Sequence, residues 1–239
     1  MTKQLMFYEK VAPVSVERHK AWSLTQGSDY SFASGSNAAP LMCAEFASAA
    51  TELPIVFGKG DNGYAPVVVL GIEQGKSLLI DGKGKWKGAY VPAFIRRYPF
   101  VFAAGEDGQT FTLCLDEAYK GCDPKGKKGD KLYGDDDQPS ETLNKALEFT
   151  KNYEIEARRT SEFCKLLDEA GLLDPMQAGI KMPNGETRAV TGFHVVSRER
   201  LKELDTDKVA DFFKRDVLEL IYYHLVSMRN MEKLRDLAS

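Results

Sequence analysis

Long apolar runs, paired cysteines and histidines are scarce in this sequence, and each shortage excludes a class of protein. Nowhere do about eighteen uncharged apolar residues follow one another, so no transmembrane segment is predicted. The first ten residues lack the apolar core of a signal peptide. The four cysteines lie far apart without a Cys-x-x-Cys pair, which excludes the common zinc and dithiol motifs. A reduced, cytoplasmic location is therefore expected, with signal-less export to the cell surface as the alternative.

A strong excess of charge is also absent. Lys and Arg number 32 against 35 Asp and Glu, which gives a net charge of −3. No general basic field draws in a phosphate backbone, so nucleic acid is not expected as a partner. The sequence contains no phosphate loop, no dinucleotide glycine fingerprint and no nucleophile elbow, and its three histidines do not have metal-ligand spacing. No metal and no cofactor is predicted.

What is present is a set of strand and helix patterns typical of a soluble globular protein. Five short β-rich runs are separated by turn residues: Ile55–Phe57, Ala65–Ile72, Ser77–Ile80, Pro99–Ala103 and Thr110–Leu115. A long helix is predicted from Ser140 to Ala170, with Gly171 as its left-handed cap. A hairpin then joins strands at Gln177–Met182 and Arg188–Val196 through Pro183–Glu186.

These elements predict an α+β fold class: a curled, mainly antiparallel sheet with a long helix and a C-terminal helical segment packed on it. At 239 residues the chain is long enough to bury a sizeable core. We predict a single domain over residues 1–239. Residues 116–138, rich in Lys, Asp and Gly, are expected to form a flexible, solvated linker loop.

The C-terminal helix, predicted to begin at Val217, carries polar side chains within a largely apolar surface. Tyr223, Ser227 and Asn230 stack on one face because residues three and four apart are neighbours on a helix, and His224 lies beside them. His224 could act as a general base or metal ligand. The alternative, which we favour, is a core histidine bonded to a backbone carbonyl or to a tyrosine, since buried polar groups must be hydrogen-bonded.

No catalytic residue is assigned, but seven residues are candidates for a ligand site: Glu45, Trp86, Arg96, Arg97, Tyr98, Tyr223 and His224. An arginine pair beside aromatic rings suits an anionic or planar ligand. Core aromatics with solvated or salt-bridged arginines explain the same pattern. Glu45 is either a partly buried carboxylate with a partner or part of a solvated helix face, and a solvated or simply paired carboxylate is favoured because lone acidic residues are seldom buried. In the alternative of an enzyme acting on an amino acid or peptide, Glu45, Arg96, Tyr223 and His224 meet in one pocket.

Four ordered blocks of the sequence resemble the bacterial SapC family: Pro66–Gly71, Tyr90–Phe100, Thr191–Leu201 and His224–Leu234. The resemblance extends from about Ser31 to the C-terminus. The family takes its name from a surface-layer locus, and related genes accompany halogenase-like proteins, cupin-like proteins and outer-membrane receptors. The resemblance thus implies a non-enzymatic accessory protein that binds a small ligand or a protein partner and is linked to cell-surface or uptake systems. A surface-layer component is the alternative, and a homo-oligomer is compatible with either.

Overall fold

The structure, a computed structural model, describes residues 6–105, 110–182 and 185–238. Its elements, in chain order, are β1 (Val11–Pro13), α1 (Val16–His19), β2 (Ser23–Leu24), β3 (Ala38–Pro40), α2 (Phe46–Ala49), β4 (Ile55–Gly60), β5 (Gly63–Val69), α3 (Ala93–Arg96), β6 (Phe100–Ala104), β7 (Phe111–Asp116), β8 (Cys122–Asp123), β9 (Asp130–Lys131), α4 (Glu141–Glu169), β10 (Leu173–Lys181), β11 (Thr187–Val196), α5 (Arg198–Lys202), α6 (Thr206–Lys214), α7 (Val217–Ser227) and α8 (Met231–Leu237). The paired strands are antiparallel, which confirms the α+β class.

The chain divides into two compact units that alternate along the sequence. The first contains Met1–Asp29 and Arg96–Glu154, and the second contains Tyr30–Ile95 and Ile155–Ser239. The helix α4 therefore begins in the first unit and ends in the second. A single domain over residues 1–239 stays a prediction.

The first unit contains two small sheets, with strand orders β1-β7-β6 and β8-β2-β9. Leu24, Phe100, Leu115 and Leu132 are buried together in its apolar core. The segment 116–138, predicted to be a linker loop, lies within this unit and contributes β8 and β9, which pair with β2 on its two sides. The flexibility expected of this segment stays a prediction.

The second unit is built on one five-stranded sheet with the order β10-β11-β4-β5-β3. Three consecutive residues of β4, Ile55, Val56 and Phe57, are at most 1% exposed, so both faces of this central strand are covered. The helix α7 contacts β4 and β11, and α8 contacts β10. This arrangement confirms the prediction of a C-terminal helical segment packed on the sheet.

The strongest local patterns give the elements that they predict. The long helix runs from Glu141 to Glu169, and Gly171 follows it with a φ of 62°, the left-handed conformation that ends a helix at low cost for glycine. The strands β10 and β11 pair as the predicted hairpin; within its turn, residues 183–184 lie outside the described residues.

Two local predictions are corrected. The predicted strand at Ser77–Ile80 is wrong, because it contributes only an isolated bridge between Ile80 and Trp86. Directly after Ile80, the Asp81 carboxylate accepts the backbone N–H groups of Lys83 and Lys85 at 2.8 and 2.9 Å, which closes a turn and ends the pairing. The C-terminal helix is interrupted at Met228–Asn230 by a 3₁₀ turn, which separates α7 from α8.

Candidate functional site

His224 is fully buried, and both of its ring nitrogens bind the backbone of the sheet. The Nδ1 atom lies 2.8 Å from the carbonyl oxygen of Ile55, and the N–H of Val196 donates to Nε2 at 3.0 Å. Because a carbonyl can only accept, Nδ1 carries the proton and the imidazole is neutral. Burial lowers the pKa of His224 to about 4. The structural interpretation of this residue, a core histidine bonded to a backbone carbonyl, is the one that this geometry supports.

Ser227 and Asn230 continue the same attachment. The Ser227 hydroxyl accepts the N–H of Ile55 at 2.9 Å and donates to the carbonyl of His224 at 2.6 Å. The Asn230 amide donates to the carbonyls of Ala50 and Leu53 at 2.8 and 3.2 Å. These polar side chains satisfy backbone groups of Ile55, the first residue of β4, and of Ala50 and Leu53, which precede that strand.

Glu45 is buried at 6% exposure and accepts three hydrogen bonds. They come from the N–H of Met42 at 2.8 Å, the hydroxyl of Tyr90 at 2.7 Å and the N–H of Ala93 at 2.7 Å. Glu45 is therefore a buried carboxylate with hydrogen-bond partners, and the favoured expectation of a solvated carboxylate is wrong. The carboxylate joins the turn before α2 to the segment that leads into α3.

Replacing Glu45 with glutamine is expected to lower the free energy of unfolding by about 2 kcal/mol, since the amide nitrogen faces backbone donors that lose their charged acceptor. The measurement is urea denaturation followed by circular dichroism. Glu232→Gln, at an exposed position of α8, is the matched control and should change stability by less than about 0.5 kcal/mol. Equal stability of the two variants would contradict the assignment.

Trp86, an aromatic candidate in the second unit, is half-buried. Its ring meets that of Tyr30 edge to face, with centroids 6.1 Å apart. The indole Nε1 is buried and has no hydrogen-bond partner among the described residues. The geometry gives Trp86 a packing role, and its part in ligand binding stays a prediction.

The first unit holds the other three candidates, Arg96, Arg97 and Tyr98. The exposed Arg96 lies over the ring of Phe149, 5.3 Å from its centroid. Arg97 is 2% exposed and lies 4.5 Å from the ring centroid of Tyr153, while the Tyr98 hydroxyl donates to Asp116 at 3.1 Å.

Arg97 and Tyr98 belong to one internal network of the first unit. Arg97 is also hydrogen-bonded to Tyr8, and burial raises the pKa of the Tyr8 hydroxyl to about 12. Asp116, the acceptor of Tyr98, is fully buried and takes the N–H groups of Glu9 and Lys10 at 3.0 and 2.9 Å. The arginine and tyrosine are thus engaged within the unit, and their part in ligand binding stays a prediction.

The second unit contains a groove of about 670 Å³ that the sequence did not indicate as a whole. Its walls are the second half of α4, the start of α7 and the residues around 43–47. The N–H of Cys43 donates to the hydroxyl of Thr160, a residue of α4, at 2.9 Å. The ring of Phe163, which packs edge to face on Phe46 at 5.8 Å, forms part of the apolar floor with Val217 and Leu220.

Four carboxylates and two guanidinium groups line the same groove. Arg159 pairs with Glu156 at 2.7 Å, and Arg215 pairs with Asp211 at 3.5 Å. The other three carboxylates form no ion pair with a described residue: Glu162, Asp216 and Glu219. The groove therefore combines an apolar floor with negative charge that the described residues leave uncompensated.

Two of these carboxylates, Asp216 and Glu219, lie at the start of α7. Asp216 occupies the residue before the helix with a φ of 58°, and its side chain makes no capping hydrogen bond. Glu219 accepts the hydroxyl of Tyr223 at 2.9 Å, which raises the pKa of that tyrosine. Neither carboxylate is used to satisfy a helix end.

Of the seven candidates named from sequence, Tyr223 lines this groove. The other lining residues were missed, although one signal for them exists. Glu156, Arg159, Phe163 and Leu166 step by three and four along α4 and therefore share a helix face beside the apolar stripe. Sequence spacing identifies that face, but not the α7 residues that lie opposite it.

Together the sheet, its C-terminal helical layer and the acidic groove define an α+β protein with a preformed concave surface. The SapC family model matches residues 14–234, and the chain belongs to the SapC family. The match begins before Ser31, where the sequence blocks placed its start. Comparison with curated proteins gave no match, and comparison with solved structures gave none.

The described residues contain neither a candidate metal site nor a helix that could span a membrane. No three His, Cys, Asp or Glu side chains in residues 6–105, 110–182 and 185–238 are grouped so that they could hold a metal ion. Across the same residues, none of the helices has both the length and the apolar composition needed to cross a bilayer.

Proposed function

We propose that this SapC-family protein is a non-enzymatic binding protein, and that its groove in the second unit holds a ligand or partner segment with a cationic group and an apolar body. The observation that carries the proposal is a set of three carboxylates around an apolar floor that form no ion pair with a described residue: Glu162, Asp216 and Glu219. Concave sites with an apolar lining and a few polar groups are typical of ligand binding.

The charge balance of the groove selects the ligand class. An anionic ligand would add charge of the sign that is already in excess, whereas an ammonium or guanidinium group would be attracted to the three carboxylates. Apolar atoms of the same ligand would gain by leaving water for the floor near Phe163 and Leu220. A cationic amphipathic ligand meets both conditions.

Two side chains of types that often act in catalysis, His224 and Cys43, support binding rather than catalysis. His224 uses both nitrogens to hold the backbone, so its neutral ring has no lone pair left for a substrate proton. Cys43 lines the groove, but burial raises the pKa of its thiol to about 12. Thiolate, the nucleophilic form, is therefore scarce at neutral pH. Membership of the SapC family supports a partner among cell-surface or uptake components.

A matched pair of probes tests the groove. We expect 1-naphthylmethylammonium to bind at least about fivefold more tightly than 1-naphthylacetate, because the two differ mainly in charge and surface charge pairs contribute up to about 1 kcal/mol each. Binding is followed by chemical-shift changes of the Ala44, Ala47 and Leu220 amides, which lie at the groove.

The double variant Glu162→Gln/Glu219→Gln should weaken binding of the ammonium probe about fivefold to tenfold, since two of its charge partners are removed. Glu232→Gln, with an equally exposed glutamate outside the groove, should leave it within about twofold. Equal affinity for both probes, or unchanged affinity in the double variant, would refute the proposed site.

A further inference from the structure

In the first unit, the side chain of Asp123 is hydrogen-bonded to the backbone of the loop between β8 and β9. The Asp123 carboxylate accepts the N–H groups of Lys125, Lys127 and Lys128 at 2.9, 2.9 and 3.0 Å. The two ends of the loop are β8 and β9, and both strands pair with β2. A carboxylate that accepts three backbone N–H groups favours one backbone conformation of the loop that carries them.

Two glycines in this loop allow it to approach β2 closely. Gly126 and Gly129 have φ values of 63° and 88°, which other residues adopt at a cost. A Cβ atom added to Gly126 would collide with the carbonyl of Ala21, and one added to Gly129 would collide with that of Leu24. The loop is therefore a packed part of the unit.

The loop and the turn before β8 carry four lysines that have no ion-pair partner among the described residues. Lys120, Lys125, Lys127 and Lys128 are exposed and form no ion pair with a described residue. Asp123 lies among them and accepts backbone N–H groups of the loop, and its negative charge offsets part of theirs. Like charges held close together repel one another, and an anion that binds between them relieves this repulsion.

Three of these lysines line a groove of about 590 Å³. Lys120, Lys127 and Lys128 surround it together with Thr25, whose hydroxyl can donate a hydrogen bond, and Tyr119, whose hydroxyl donates to the carbonyl of Thr25 at 3.4 Å. Asp29 and Asp123 also line the groove, and Asp29 is engaged with another group of the protein. The lining thus has three ammonium groups and two carboxylates, an excess of one positive charge, although the whole chain is slightly acidic.

The geometry points to an anion site in this groove that binds the phosphate groups of a phosphorylated ligand. Lysine ammonium groups act as point charges for phosphate, and Lys120 before β8 together with Lys127 and Lys128 on the loop can bind oxygens on more than one side of the ligand. Such phosphate groups belong to soluble phosphate esters and to acidic membrane lipids. The site is independent of the acidic groove in the second unit.

Two probes separate these sources. The full-length chain is titrated calorimetrically with inorganic pyrophosphate. In parallel it is sedimented with vesicles of phosphatidylcholine, with and without phosphatidic acid. We expect binding to pyrophosphate if the ligand is soluble, or to the phosphatidic acid vesicles alone if it is a lipid. Binding to both would assign the site to the phosphate group itself. Each of these three results supports the site.

The triple variant Lys120→Gln/Lys127→Gln/Lys128→Gln should lose at least about tenfold in affinity, since each removed charge contacts the same ligand. The control variant Lys151→Gln/Lys202→Gln/Lys214→Gln changes the net charge equally, at exposed positions on other elements, and should stay within about twofold. Circular dichroism verifies that both variants are folded. Absence of binding to either probe overturns the site, and so does an equal loss in the two variants.

Discussion

Replacing His224 with alanine is expected to lower the free energy of unfolding by about 4 kcal/mol, the largest effect we predict for a single side chain. The imidazole is fully buried and meets the ring of Phe57 edge to face, with centroids 5.0 Å apart. Its removal leaves a cavity and also leaves the carbonyl of Ile55 and the N–H of Val196 without partners. Unpaired buried backbone groups are costly because water cannot replace the lost bond.

Urea denaturation followed by circular dichroism measures this effect. Tyr222→Ala provides the control on the same helix, since Tyr222 is 53% exposed, and should cost less than about 1 kcal/mol. A loss below about 1 kcal/mol for His224→Ala would show that α7 does not depend on this attachment to the sheet.

Stability should also decrease by about 3 kcal/mol as the pH falls from about 6.5 to about 4, because of His224 alone. Burial lowers the pKa of His224 in the folded protein to about 4, whereas an unfolded histidine titrates near its ordinary value of about 6.5. Between these values the unfolded chain binds a proton that the folded chain does not. The stabilisation is therefore complete above pH 6.5 and is lost as the pH falls toward 4.

The variant His224→Gln isolates this contribution, because glutamine does not titrate. The free energy of unfolding is measured for both proteins between pH 4 and pH 8, and their difference is plotted against pH. His19, whose pKa is also lowered by burial, contributes to both proteins and cancels in that difference. A difference that does not vary between pH 4 and pH 6.5 would contradict the neutral, doubly bonded state of His224.

Several local features follow from the sequence because their causes lie within a few residues. The period of α4 and the left-handed Gly171 define a helix from Glu141 to Glu169 within one residue of the predicted ends. Ser197 and Asp205 cap α5 and α6, because their side chains accept the backbone N–H groups of Arg200 and Lys208. The polar face of α7 was also visible, and a structural role for His224 was the interpretation favoured.

The partners of those same residues could not be predicted. His224 binds Ile55, which is 169 residues away, and Ser227 binds the other backbone group of the same residue. Glu45 reaches Tyr90 and Ala93 across more than forty residues. Periodicity gives the face on which a side chain lies, but it contains no information on the element that covers that face.

The sequence by itself determined the α+β class, the long helix, the hairpin of β10 and β11, and the SapC family, because apolar period, turn residues and caps act over short distances. Tertiary structure alone decided that β8 and β9 pair with β2, and that α4 and α7 line a groove whose carboxylates Glu162, Asp216 and Glu219 form no ion pair with a described residue. Both grooves depend on which distant segments meet, and that choice is made by the packing of the whole unit, in which no single pattern specifies its partner.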